Sequence, residues 1–129
     1  MASVLGIGGL FVKSPDGAAL RQWYQRVLGL EFADWGGVWF PAQGLAAQPG
    51  AGTVFSPMAE ASDYFAPSTA DFMFNLVVDD LDGMVARCRD NAVEPVKLFP
   101  DEGNGRFAHI IDPEGRKIEL WQPKPMDGV

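Results

Sequence analysis

Hydrophobic positions along the chain follow two spacings, and they alternate in a fixed order. The run "VLGIGGLFVK" at residues 4–13 is apolar and glycine-rich, and the breaker "SPD" follows it. Its length and that boundary predict a strand. Leu20, Trp23, Tyr24, Val27 and Leu28 then recur at helical spacing. They predict a helix over 15–28 with one apolar face, Ser14 as its cap, Pro15 at the first helical position and Gly29 as its stop. Short strands are expected at about 30–35, 37–41 and 51–56, with Gly36–Gly37 as a hairpin signal. The stretches 42–50 and 57–70 read as loops. A second cycle starts at "FMFNLVVDD" (72–80), a strand ending in an acidic helix cap. Leu81, Met84, Val85, Cys88 and Ala92 give the apolar face of a second helix over 80–91. Strands follow near 93–98, 105–111 and 116–121, and "DPEG" at 112–115 forms the turn between the last two.

Strand, helix and three strands thus occur twice. A shift of 64 residues brings Asp16 onto Asp80, Leu20 onto Met84 and Tyr24 onto Cys88. The repeat rests on pattern rather than identity, and it divides a single domain, 1–129, into modules of about 4–57 and 71–123. Paired units of this kind leave a natural pocket between them.

Bulk properties narrow the function. The chain has 129 residues, enough for one core. Its net charge of −7 argues against nucleic-acid and anionic-membrane partners, which need a basic surface. One cysteine, Cys88, excludes an internal disulfide and a Cys-rich zinc site. No apolar run approaches the roughly 20 residues that span a bilayer, and the N-terminus lacks the pattern of a signal peptide. A cytoplasmic protein is the expectation.

Three stretches resemble a known family. "GGLFVKSPDGAALRQWYQRVLGLEF" is similar to the first unit of the vicinal oxygen chelate superfamily, which includes glyoxalase, bleomycin-resistance proteins and extradiol dioxygenases. "FNLVVDDLDGMVARCRDNAVEP" resembles its second unit and "GRFAHIIDPEGRKIELWQP" its closing hairpin. The resemblance implies an α+β fold of two βαβββ modules, whose sheets form a cup with helices on the convex side. It also implies a homodimer by analogy with small members. Metal-dependent members hold their metal in the cup, and the ligand positions fall on Gly9, Phe55, Met73 and Glu119. Glycine and phenylalanine offer no donor, and a thioether is a poor ligand for hard divalent ions. One carboxylate does not hold a catalytic metal, so neither metal nor cofactor is expected. The cup would instead be lined by Gly9, Phe11, Phe55, Met73, Asn75 and Trp121, with Trp39 divided between cup lining and core packing.

The last strand carries the candidate chemistry. Its alternation puts Ile118 and Leu120 on one face and Lys117, Glu119 and Trp121 on the other. Taken alone, Glu119 reads as a solvated carboxylate. In the resembled fold it faces the cup, where desolvation would raise its pKa and suit it to acid/base work. Lys117 is expected to reach the rim with its charge in water. His109 is the one histidine. If Ile111 pairs with Lys117, His109 lies opposite Glu119 on the same face; a slip of one residue sends it to the other.

Three functions fit. The leading one is a metal-independent small-molecule binding protein with an apolar or aromatic ligand. The second is a lyase, isomerase or dioxygenase of the glyoxalase class, using Glu119 and His109 or a metal. The third is a regulatory or partner-binding module with an exposed apolar patch in place of a pocket.

Overall fold

The computed structural model describes residues 2–125. Its elements run α1 (Gly17–Leu28), α2 (Ala42–Ala46), β1 (Phe74–Val77), α3 (Leu81–Asp90), β2 (Lys97–Leu98), β3 (Gly105–Ile111) and β4 (Lys117–Pro123). Among the described residues the strands form one open sheet in the order β1-β4-β3-β2. β1 runs parallel to β4, and the other two pairings are antiparallel. The chain is therefore mixed α+β, and its second half forms a βαβββ unit.

The helices begin and end where local chemistry satisfies their free backbone groups. The Asp16 carboxylate accepts from the Ala19 N–H at 3.1 Å, and the Asp80 carboxylate accepts from the Gly83 N–H at 3.0 Å. Gly29 closes α1 at φ +73°, a left-handed conformation that suits glycine. The cap of α1 is Asp16 rather than Ser14. The Ser14 hydroxyl instead accepts from the Asp16 N–H at 3.1 Å and donates to Glu114 at 2.5 Å, tying the helix entry to the hairpin turn.

Leu20, Trp23, Tyr24, Val27 and Leu28 of α1 are buried together with Leu81, Val85 and Cys88 of α3, as their spacing predicts. They meet Ala108, Ile110, Ile118 and Leu120, which point from one face of β3 and β4. The Gln122 side chain of β4 accepts from the Leu81 N–H at 2.7 Å, which fixes the start of α3 against the sheet.

The described residues confirm the second of the two expected modules and not the first. Residues 4–13, 30–35, 37–41 and 51–56 join no strand ladder among the described residues. A strand is stabilised by its neighbours, and a glycine-rich segment without a paired edge has neither ladder bonds nor cross-strand contacts. Val4, Leu5, Phe11 and Phe55 are correspondingly exposed. The Gly36–Gly37 signal gives a turn, closed by Ala33 N–H to Gly37 O at 2.9 Å, without flanking strands. Within the expected loop 42–50 the chain makes the short helix α2.

Candidate functional site

The register of β3 and β4 settles which side chains share a face. Ile111 pairs with Lys117 and His109 with Glu119. Glu119 also lies beside Asn75 of β1, and His109 beside Lys97 of β2. Alternation then places Asn75, Lys97, Phe107, His109, Lys117, Glu119 and Trp121 on the sheet face away from the helices.

Three donors converge on the Glu119 carboxylate. Asn75 Nδ2 donates to Oε1 at 2.9 Å, His109 Nε2 donates to Oε2 at 2.8 Å, and the Tyr64 hydroxyl donates to the same oxygen. The carboxylate is acceptor-only, so the His109 proton on this side sits on Nε2. His109 Nδ1 is buried and has no partner among the described residues.

Tyr64 comes from the 57–70 loop, which crosses this face as a strap. Lys117 holds the strap, donating from Nζ to the Tyr64 carbonyl at 2.7 Å and the Ala66 carbonyl at 2.8 Å. Lys117 is thus 4% exposed and not at a solvated rim, because the strap covers it. Burial, and then repulsion from Lys97, lowers its pKa.

Aromatic rings continue the face beyond Glu119. Phe99 meets the His109 ring at 4.7 Å and Phe107 at 6.2 Å, and Phe107 stacks on Trp121 at 6.0 Å. The Trp121 indole donates to the Asn104 carbonyl at 2.9 Å. Gly105 permits this close approach: at φ +136°, a Cβ there would meet the indole nitrogen at 2.6 Å.

The electrostatics differ from the expectation for a lone buried carboxylate. Desolvation raises the Glu119 pKa, but hydrogen bonds from His109, Tyr64 and Asn75 outweigh it, and the net shift is downward. The Tyr64 phenol moves the other way, pushed well above its ordinary range by burial and by its bond to Glu119. The site is therefore a stabilised carboxylate beside a phenol that keeps its proton. A depressed carboxylate pKa contributes stability above the unfolded value of about 4.5, and that contribution is lost as pH falls through the folded value. The stability gap between wild type and Glu119→Gln is expected to be largest near neutral pH and to shrink as pH drops below about 4.5. Urea midpoints over this range test it; a constant gap would mean that the donors do not stabilise the charge.

The predicted site residues divide in two. Glu119, His109, Asn75 and Trp121 come together here, and Met73 precedes β1 on the same alternation. Phe11, Phe55 and Trp39 are 92%, 85% and 77% exposed, and no bond or ring contact of the Glu119 cluster includes them. Phe55 instead lines a shallow hollow with Val4, Leu5 and Ile7. A groove of about 560 Å³ lies between α3 and β2–β3; Phe99 and Phe107 also border it, and its Arg89 and Arg106 are paired with Glu94 and Asp82. Tyr64, Lys97, Phe99 and Phe107 are site residues that the sequence reading missed. An aromatic pair, Tyr64–Phe65, inside a proline- and serine-rich loop was the available signal.

A family model described as a glyoxalase-like domain matches residues 9–121. The chain belongs to this family. The family is part of the vicinal oxygen chelate superfamily, so the resemblance in the three quoted stretches holds over most of the chain. A comparison with curated proteins finds no match.

Metal-dependent members of the superfamily set a test for the glyoxalase-like site. Among the described residues no three His, Cys, Asp or Glu side chains cluster as metal ligands. Gly9 and Phe55 carry no donor atom, the Tyr64 phenol holds its proton, and Glu119 is engaged by three donors. This donor set does not fit a catalytic divalent ion.

Proposed function

We propose that this glyoxalase-like domain binds a small aromatic or apolar molecule on the sheet face around Glu119, without a catalytic metal. One observation carries the reading: a shielded carboxylate, held by three donors, borders a continuous row of rings formed by His109, Phe99, Phe107 and Trp121. Binding needs apolar area with a few fixed polar groups, and both are present. Acid/base catalysis by Glu119 and His109 is less well supported, because a general base works best with a pKa near the operating pH and the Glu119 shift runs downward.

The same proposal includes a cytoplasmic homodimer with no nucleic-acid or membrane partner. Exposed Val4, Leu5, Phe11, Val54 and Phe55 support a second copy as the cover for the first half of the chain. Sedimentation equilibrium is expected to give twice the chain mass; a monomer at micromolar concentration would contradict the dimer.

Protein purified without added metal is expected to bind small aromatic fragments, quenching its tryptophan fluorescence equally with and without a chelator. Elemental analysis is expected to find no stoichiometric nickel, zinc, iron or manganese. Stoichiometric metal, with binding lost on chelation, would overturn the metal-independent reading.

A further inference from the structure

We propose that the ligand on this face is a planar aromatic anion, with its negative group on Lys97 and its ring against the Phe99–Phe107–Trp121 row. The inference rests on the ligand-site reading above and adds the sign of the ligand's charge.

The carboxylate at the centre of the site points at first sight to a cationic ligand. Its hydrogen bonds argue otherwise. Glu119 already accepts from Asn75, His109 and Tyr64, so its oxygens are engaged from within the chain. Lys117 is likewise engaged, by two strap carbonyls. Lys97 is different. Its ammonium lies 4.7 Å from the centre of the Phe99 ring, and it forms no ion pair among the described residues.

A ligand ammonium approaching the same rings would meet Lys97, with Lys117 behind it. A ligand carboxylate would find an unpaired cation at one end of an aromatic platform. The chain as a whole carries a net charge of −7, and Glu119 and Asp63 act on Lys117, so Lys97 is the cation of this face left for a ligand. The rings supply the rest of the recognition. Phe107 and Trp121 are within 3° of parallel, are partly exposed, and continue from Phe99 along one face. A flat ring of the ligand adds to that row by stacking or edge contact.

Benzoate, benzyl alcohol and benzylamine share one ring and differ in charge, so titrating each against the full chain separates the terms. Lys97 is exposed, so the expected preference for benzoate over benzyl alcohol is about two- to fivefold at low salt, narrowing as salt rises. Benzylamine is expected to bind most weakly. In Lys97→Gln the ratio of benzoate to benzyl alcohol affinity is expected to fall to about one. Equal binding of the three probes, tightest binding by benzylamine, or a benzoate preference that survives in Lys97→Gln would each overturn the inference and leave the ligand-site reading intact. Failure of all three to bind at millimolar concentrations would overturn both.

Discussion

Replacing Asp112 with alanine is expected to destabilise the fold by about 3–5 kcal/mol, the usual loss when one partner of a buried ionic network is removed. Asp112 is 3% exposed, and its carboxylate is fully used. Oδ1 accepts from the backbone N–H groups of Glu114 and Arg116, at 2.8 and 3.0 Å. Oδ2 accepts from the buried Tyr24 hydroxyl at 2.7 Å and from the Arg116 guanidinium at 3.1 Å. Alanine strands these donors where water does not replace the lost acceptor. Arg116 also donates to the Lys13 carbonyl at 2.6 Å, so the network joins the start of the chain, α1 and the β3–β4 turn. Asp112→Asn keeps one carbonyl acceptor and should lose less. Urea denaturation followed by circular dichroism provides the measurement, and a loss below roughly 1 kcal/mol for the alanine variant would show that the turn holds without its carboxylate.

Truncating Trp23 to alanine is expected to cost a similar amount, about 3–5 kcal/mol, for a different reason. The indole is buried in the core cluster and packs edge-on to Tyr24, with ring centres 5.0 Å apart. Its removal leaves a cavity between α1 and its neighbours that close-packed surroundings fill only in part. Native domains are stable by only about 5–15 kcal/mol, so either substitution removes a large share of the total. The same denaturation experiment applies. A Trp23→Ala loss below roughly 1 kcal/mol would place this face of α1 in solvent and break the helical register from which it was read.

How much of this was visible beforehand depended on whether a feature is local. The face of α1 and the Asp80 cap follow from spacing and from one carboxylate near a helix start, and both match the structure. The β3–β4 hairpin was legible except for its register. "DPEG" marks the turn but leaves two registers open, and the structure takes the one that pairs Ile111 with Lys117 and puts His109 against Glu119. Residues 4–13 show the opposite case. An apolar run specifies a strand only if another edge pairs with it, and no such edge is part of the run itself. The Glu119 shift was misjudged for a related reason. Burial alone raises a carboxylate pKa, but hydrogen bonds from His109, Tyr64 and Asn75 reverse the direction here, and Tyr64 lies 55 positions away in sequence, in a loop with no strand or helix pattern. Lys117 was read as a rim residue because the strap that buries it could not be seen from the strand.

Binding on the Glu119 face is the central claim, and mapping a bound probe by backbone amide chemical shifts tests it most directly. With benzoate as the probe, the largest shifts are expected at Asn75, Lys97, Phe99, Phe107, His109, Glu119 and Trp121, with further shifts in the strap around Tyr64. Shifts confined to Leu81, Asp82, Val85, Arg89 and Asp90 of α3, or to residues 4–7 and 53–55, or no saturable shifts at all, would contradict it.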